Sequence, residues 1–201
     1  MVRDNALSLA GLLVHQIGGT SVMPPQPADY YKNLNNPKRT NGADENEQQW
    51  RRSVYVHWQR KFLHPMLRAF DAPMRQACTA QRIVSNTPLA SLAMLNDPVM
   101  IEAARSMAQA VLKSEASTDR DRITLAFRMA TARVPDSNEV DVLIEQLGRT
   151  VEYFQTSPEA AIELLSIGSV PMAANQDVTE LAAWSETMRT ILNLHETITR
   201  D

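Results

Sequence analysis

The chain has 201 residues, 44% of them apolar and 21% charged, with a formal net charge of −3 and a single cysteine. That length carries one domain with its own core, and the apolar share is too high for a disordered chain. The mild acidic balance gives no electrostatic footprint for nucleic acid or an anionic membrane, one cysteine excludes an internal disulfide and a Cys-x-x-Cys zinc or haem motif, and no window is apolar for long enough to cross a bilayer.

Residues 4–15 predict a first helix, with Ala6, Leu7, Leu9, Ala10, Leu13 and Val14 as its apolar stripe and Gly18-Gly19 closing it. Asp4 interrupts what would otherwise be an apolar start, so this segment does not read as a signal peptide. Residues 18–47 hold Pro24, Pro25, Pro27 and Pro37 and show no periodicity, which predicts a long irregular loop, pinned in part by Tyr30-Tyr31. In 50–63, Val54, Trp58 and Phe62 fit a helix while Val54, Val56 and Trp58 fit a strand. The helical character of the rest favours helix, closed by His64-Pro65. Phe70-Asp71-Ala72-Pro73 predicts a turn in which Asp71 can cap the next element.

Residues 82–112 are the centre of the chain. Thr87-Pro88 and Asp97-Pro98 are two helix starts in tandem, each a short polar residue before a proline, so they predict a hairpin of helices. The first helix, with Leu89, Leu92, Ala93 and Leu95, is apolar enough to be nearly surrounded. The second places Met100, Ala103, Ala104, Met107, Ala108 and Val111 on one face, with Glu102, Arg105 and Gln109 expected to point away. Beyond it, Thr118 or Asp119 opens a helix through Ile123, Ala126, Phe127 and Ala130, stopped by Val134-Pro135. A capping box, Asp136 with Glu139, opens the next, along Val140, Leu143, Ile144, Leu147, Val151 and Phe154. Ser157-Pro158 starts a short helix ending near Gly168, and Asp177 with Glu180 opens a last one, with Leu181, Trp184, Met188, Ile191, His195 and Ile198 on its buried side. The pattern predicts an all-α fold: one irregular bundle of seven or eight helices over 1–201, with a long loop at 18–47, a central hairpin at 82–112 and regular helices from 119 on.

Chemistry is sparse. His15, His57, His64 and His195 share no metal-ligand spacing, and neither a phosphate-binding glycine loop nor a Gly-x-Ser-x-Gly elbow is present. No metal and no cofactor is expected in this chain. Cys78 reads first as a small buried hydrophobe and second as a reactive thiol. His57, between Val56 and Trp58, reads as an interior packing group or as one that stacks on a sugar or haem edge. Asp71, Asp97 and Glu102 are candidate acids by their central position alone. Arg51, Arg52, Arg60 and Lys61 with interleaved aromatics read as a solvated or ion-paired face before an RNA surface.

Arg51-Arg52-Ser53-Val54-Tyr55 with Trp58, Phe70-Asp71-Ala72-Pro73, Cys78-Thr79, Arg82, and above all Asn86-Thr87-Pro88-Leu89 running to Leu95-Asn96-Asp97-Pro98 resemble the planctomycete-type domain of unknown function 1553 family. So do Gly18-Gly19 to Pro27, Ala126-Phe127-Arg128 to Pro135, and Glu180 to Trp184 leading to Leu192 to Glu196, so the resemblance runs along nearly the whole chain. It implies the C-terminal part of a larger exported envelope protein that often carries a cytochrome c module. Met1 would then correspond to an internal position of the longer arrangement, and the compartment would be periplasm or envelope, or cytoplasm if Met1 is the true start. Met74, Ala90, His57 and Gln81 depart from the family pattern and weaken the case for a catalytic site at its motifs. The first functional reading is a non-catalytic interaction or scaffold module that docks on an upstream domain or on a redox or carbohydrate-processing partner. The alternative is an enzyme, a glycan-active hydrolase or a redox enzyme, with a site at His57, Asp71 and Arg82 beneath the proline-rich loop. Asn86, Thr87, Pro88, Asn96, Asp97 and Pro98 form the structural motif.

Overall fold

A computed structural model describes residues 1–27, 30, 42–44, 46–59, 62–75, 77–81, 83, 85, 87–172 and 176–199. Among them the fold is all-α, with nine helices: α1 (Val2–Leu9), α2 (Pro65–Ala69), α3 (Pro88–Asn96), α4 (Pro98–Leu112), α5 (Asp119–Thr131), α6 (Ser137–Thr156), α7 (Pro158–Leu165), α8 (Val178–Leu192) and α9 (His195–Ile198). The helix starts follow from local chemistry. Asp97 accepts from the Val99 N–H (3.0 Å) with Pro98 in the first turn. Thr118 accepts from the Asp121 N–H, and Asp136 and Glu139 form the full reciprocal box. Asp177 accepts from the Glu180 N–H at 2.8 Å. Thr87 stands at the N-cap of α3 without a side-chain capping bond, so Pro88 alone marks that start.

The core forms where α4 and α8 lie against each other, with α6 and α7 packed on α8, α1 on α4, and α2 on α3. Ala103, Ala104 and Ala108 of α4 and Ala182 and Ala183 of α8 are fully buried. Small side chains let helix backbones come close, and Met100, Met107, Trp184, Met188 and Ile191 fill the remaining space.

Several expectations are corrected. The first helix ends at Leu9 because Gly11 takes a left-handed φ of +69° and turns the chain well before Gly18-Gly19. Among its described residues the segment 50–63 has neither an α-helix nor a strand: a short 3-10 turn, Glu47–Trp50, leads into it, a second, Ser53–Tyr55, lies within it, and two isolated parallel bridges join Val14 with Arg51 and Val22 with Val56. His64 does not close that segment but opens α2, its Nδ1 accepting from the Met66 N–H (3.3 Å). The last long helix stops at Leu192, which leaves His195 exposed at the start of α9. Cys78 is exposed. The loop expected at 18–47 lies partly outside the described residues, as does Tyr31, but Tyr30 is anchored as expected, its hydroxyl donating to the Leu63 carbonyl at 3.1 Å.

The largest correction inverts the central hairpin. Leu89 and Leu92 of α3 are 58% and 56% exposed, whereas twelve of the fifteen residues of α4 are buried, Glu102, Arg105 and Gln109 among them. α4 is covered on its polar side by Trp50 and by residues 165–170 as well as on its alanine side by α8.

Candidate functional site

Polar side chains inside a helical core need partners, because an unpaired buried charge costs several kcal/mol. On α4 the helical repeat places Glu102 and Arg105 on adjacent turns, and the loop after α7 meets both. One Glu102 oxygen accepts from the Ser169 and Val170 N–H groups, the latter at 2.8 Å, and the other from the Trp50 indole N–H at 2.9 Å. Arg105 stands 4.0 Å from the same carboxylate and donates to the carbonyls of Leu165 and Val170. Desolvation lowers the Arg105 pKa, and the Glu102 charge raises it. Gly168 turns the chain at φ +94°, and a Cβ there would lie 2.6 Å from both Cδ and Oε1 of Glu102. The carboxylate therefore fills the space a side chain at 168 would need.

A second buried cluster joins the N-terminus to the irregular segment. Arg3, 4% exposed, donates to the carbonyls of Arg51 and Gln49. Asp4 accepts from the N–H and hydroxyl of Ser53 at 2.7 and 2.6 Å. Arg51 holds the turn at 16–20 through the carbonyls of Gln16, Gly18 and Thr20, and its guanidinium lies 4.0 Å from the centre of the Tyr55 ring. Arg51 thus serves as an internal clamp, not as part of a basic surface. Burial pushes the Asp97 carboxyl up to about 6, against the opposing pull of its cap bond to Val99 and the nearby Arg3 charge. Burial pushes the His64 imidazole down to about 4, and its Nε2 donates to the Pro25 carbonyl at 3.0 Å while Nδ1 accepts the cap bond.

In both clusters the charged ends are turned onto backbone groups. Glu102 is 1% exposed and its oxygens are occupied, so it cannot reach a substrate as a general acid or base. Asp97, 3% exposed, is fully accounted for as the cap of α4.

The candidate catalytic residues are at the surface or partly so. His57 is exposed, with Nδ1 3.3 Å from the Ser21 hydroxyl. Asp71, at a left-handed φ of +53°, accepts from the N–H and hydroxyl of Ser85, which ties the turn after α2 to the approach to α3. Ser21 and Ser85 belong to different segments of the chain, so these bonds do not join His57 to Asp71. Arg82 lies outside the described residues, as does Asn86 of the structural motif. Among the described residues no group of three or more His, Cys, Asp or Glu is arranged to hold a metal ion, and no helix is long and apolar enough to cross a membrane.

A feature that sequence reasoning does not isolate is the outer face of α3. Seven of its nine residues are apolar, Ser91 and Asn96 being the exceptions, a composition that usually means burial on most sides. Yet only Ala90 and Met94 are buried, and Leu89 and Leu92, one turn apart, face outward. Asn96 closes the helix on itself by donating to the Leu92 carbonyl at 2.9 Å.

The family model PSD1, described as a protein of unknown function (DUF1553), matches residues 1–147. The match takes in both buried clusters' residues on α1, the irregular segment and α4, and ends within α6, so the stretch at 180–196 lies beyond it. No curated protein and no solved structure matches the chain.

Proposed function

Because the chain belongs to the PSD1 (DUF1553) family, we propose that it acts as a non-catalytic docking module of a larger envelope protein, with the outer face of α3 as its contact surface. The observation that carries this reading is the exposure of Leu89 and Leu92 on a helix whose outward side offers only Ser91 and Asn96 as polar groups and no charge. A helix of that composition is complete only when covered. The occupant is an adjoining domain of the family polypeptide, associated with redox or carbohydrate-processing chemistry. The buried charges support the same role: Arg3, Arg51, Glu102 and Arg105 spend their hydrogen bonds on backbone and fix loops in place.

Covering the exposed half of each leucine is worth about 1 kcal/mol apiece. The double variant Leu89→Asp/Leu92→Asp should therefore weaken docking by at least about thirtyfold with the thermal midpoint of the isolated chain unchanged. The measurement is a calorimetric titration of the chain with the segment that precedes it in family polypeptides. No binding at high micromolar concentration, together with turnover of a glycan or redox substrate that is lost in His57→Ala and Asp71→Ala, would overturn the reading in favour of the enzyme.

A further inference from the structure

We propose that a second surface, the groove along α6 bounded by the first turns of α5 and α8, takes a basic amphipathic helix from a protein partner. The groove has a volume of about 670 Å³, within the range of sites that hold a bound group. Its apolar side is made by Ile144, Leu147 and Val151, at the spacing of one face of α6, with Trp184 of α8 behind them. Ile144 and Val151 are only half buried, so this stripe continues outward from the core instead of ending in it.

Charge decides the class of occupant. Glu152, Asp177 and Glu180 line the groove together with Asp119, and among the described residues no lysine or arginine does. Asp119 is already paired with Arg122 at 3.1 Å, and Asp177 is engaged as the cap of α8. Glu152 and Glu180 have no ion-pair partner among the described residues, and the N-terminal dipoles of α5 and α8 are already answered by Thr118 and Asp177. An apolar floor under an acidic rim is complementary to a segment with apolar side chains on one face and lysine or arginine at its edges.

Gly148 points independently to close approach. It sits inside the twenty-residue α6, where glycine costs roughly 0.5–1 kcal/mol against alanine. A Cβ at this position would meet nothing within 4 Å, so packing within the chain does not require the glycine. It lines the same groove, and its bare backbone lets a second helix come nearer than any side chain would allow. The lined part of α6, from Ile144 to Gln155, runs for about 16 Å, three turns of a helix lying alongside.

The test uses the full chain and a fluorescent peptide of leucine and lysine at helical spacing, with a scrambled peptide of the same composition and a leucine–glutamate counterpart as controls. The helical basic peptide should bind, gain helicity by circular dichroism, and weaken about tenfold in Glu152→Lys/Glu180→Lys. Gly148→Leu should abolish binding while its far-UV spectrum and urea midpoint show a folded chain. Leu89→Asp/Leu92→Asp should bind this peptide as the parent does, because α3 contributes nothing to the groove, so failure here and failure of the docking face on α3 are separate results. Equal binding of the scrambled peptide, or unchanged binding in Gly148→Leu, would overturn the proposal.

Discussion

Two glycines of this chain should respond to alanine with opposite signs, and the reason lies in what surrounds each. At Gly168 the new Cβ would sit 2.6 Å from Cδ and Oε1 of Glu102, against the roughly 3.5–4.0 Å at which carbon atoms rest, on a backbone at φ +94°. The left-handed backbone costs about 1–2 kcal/mol for a residue with a Cβ, and displacing an immobilised neighbour costs about 1–3 more. Glu102 cannot step aside cheaply, since it would give up its bonds from Ser169, Val170 and Trp50. Gly168→Ala should therefore lose about 3 kcal/mol in urea denaturation followed by far-UV circular dichroism. Gly148→Ala, in open space on α6, should gain about 0.5–1 kcal/mol. Combining Gly168→Ala with Glu102→Ala isolates the collision: the pair should be less destabilised than the sum of the singles by about 1–3 kcal/mol. A Gly168→Ala variant within about 0.5 kcal/mol of the parent, or strict additivity of the pair, would refute the claim that the carboxylate and the glycine occupy one space.

The second buried cluster yields two more expected outcomes, and the capping box of α6 a third. His64, neutral in the fold with its pKa down at about 4, withdraws stability as pH falls from about 6.5 to 4, because the unfolded chain takes up the proton first. Asp97, held up at about 6, does the reverse between about 6 and 3.8, because there the folded chain binds the extra proton. Each amounts to about 3 kcal/mol and they nearly cancel, so Asp97→Asn, which keeps the cap, should reveal an acid-side loss of about 3 kcal/mol that the parent lacks in urea melts at about pH 6.5 and 4. Arg51→Lys should cost about 2–4 kcal/mol and open the 16–20 turn to limited proteolysis, since an ammonium cannot serve three carbonyls and stack on Tyr55 as the guanidinium does. Asp136→Ala should lose about 1 kcal/mol in the same melts by breaking the box that starts α6.

Where a single residue type decides a local geometry, the sequence is readable. Asp97-Pro98, Thr118, Asp136 with Glu139, and Asp177 all start helices where their side chains can take a free N–H. The assumption that fails is that the polar side of a periodic helix faces water. α4 follows the helical period on its alanine side, but its charged side is covered by a loop more than sixty residues away, and nothing local announces that. One signal in the sequence does bear on it: Glu102 and Arg105 are the only charged residues in a run from Pro98 to Leu112 that is otherwise small or apolar apart from Ser106 and Gln109. The irregular segment misleads for a related reason. Its bulky residues fit two periods at once, while its conformation is set by Arg51 reaching back to the 16–20 carbonyls and by Arg3 and Asp4 reaching across from α1. The face of α3 escapes the sequence because composition shows that a helix is apolar, not whether its own chain supplies a cover.

The seat of Glu102 also sets an order of events during synthesis. Ser169 and Val170 leave the ribosome 67 and 68 residues after the carboxylate they hold, and α8, which covers the alanine side, follows them, so α4 must wait with both sides incompletely covered until the last third of the chain arrives. A glutamate and an arginine suit that interval, since both are well solvated in water and would keep the unfinished hairpin from sticking to its copies. The same pair then becomes the lock that α7 and its following loop close. Release of a nascent chain before residue 170 would leave a hydrated carboxylate where the finished protein has a sealed joint.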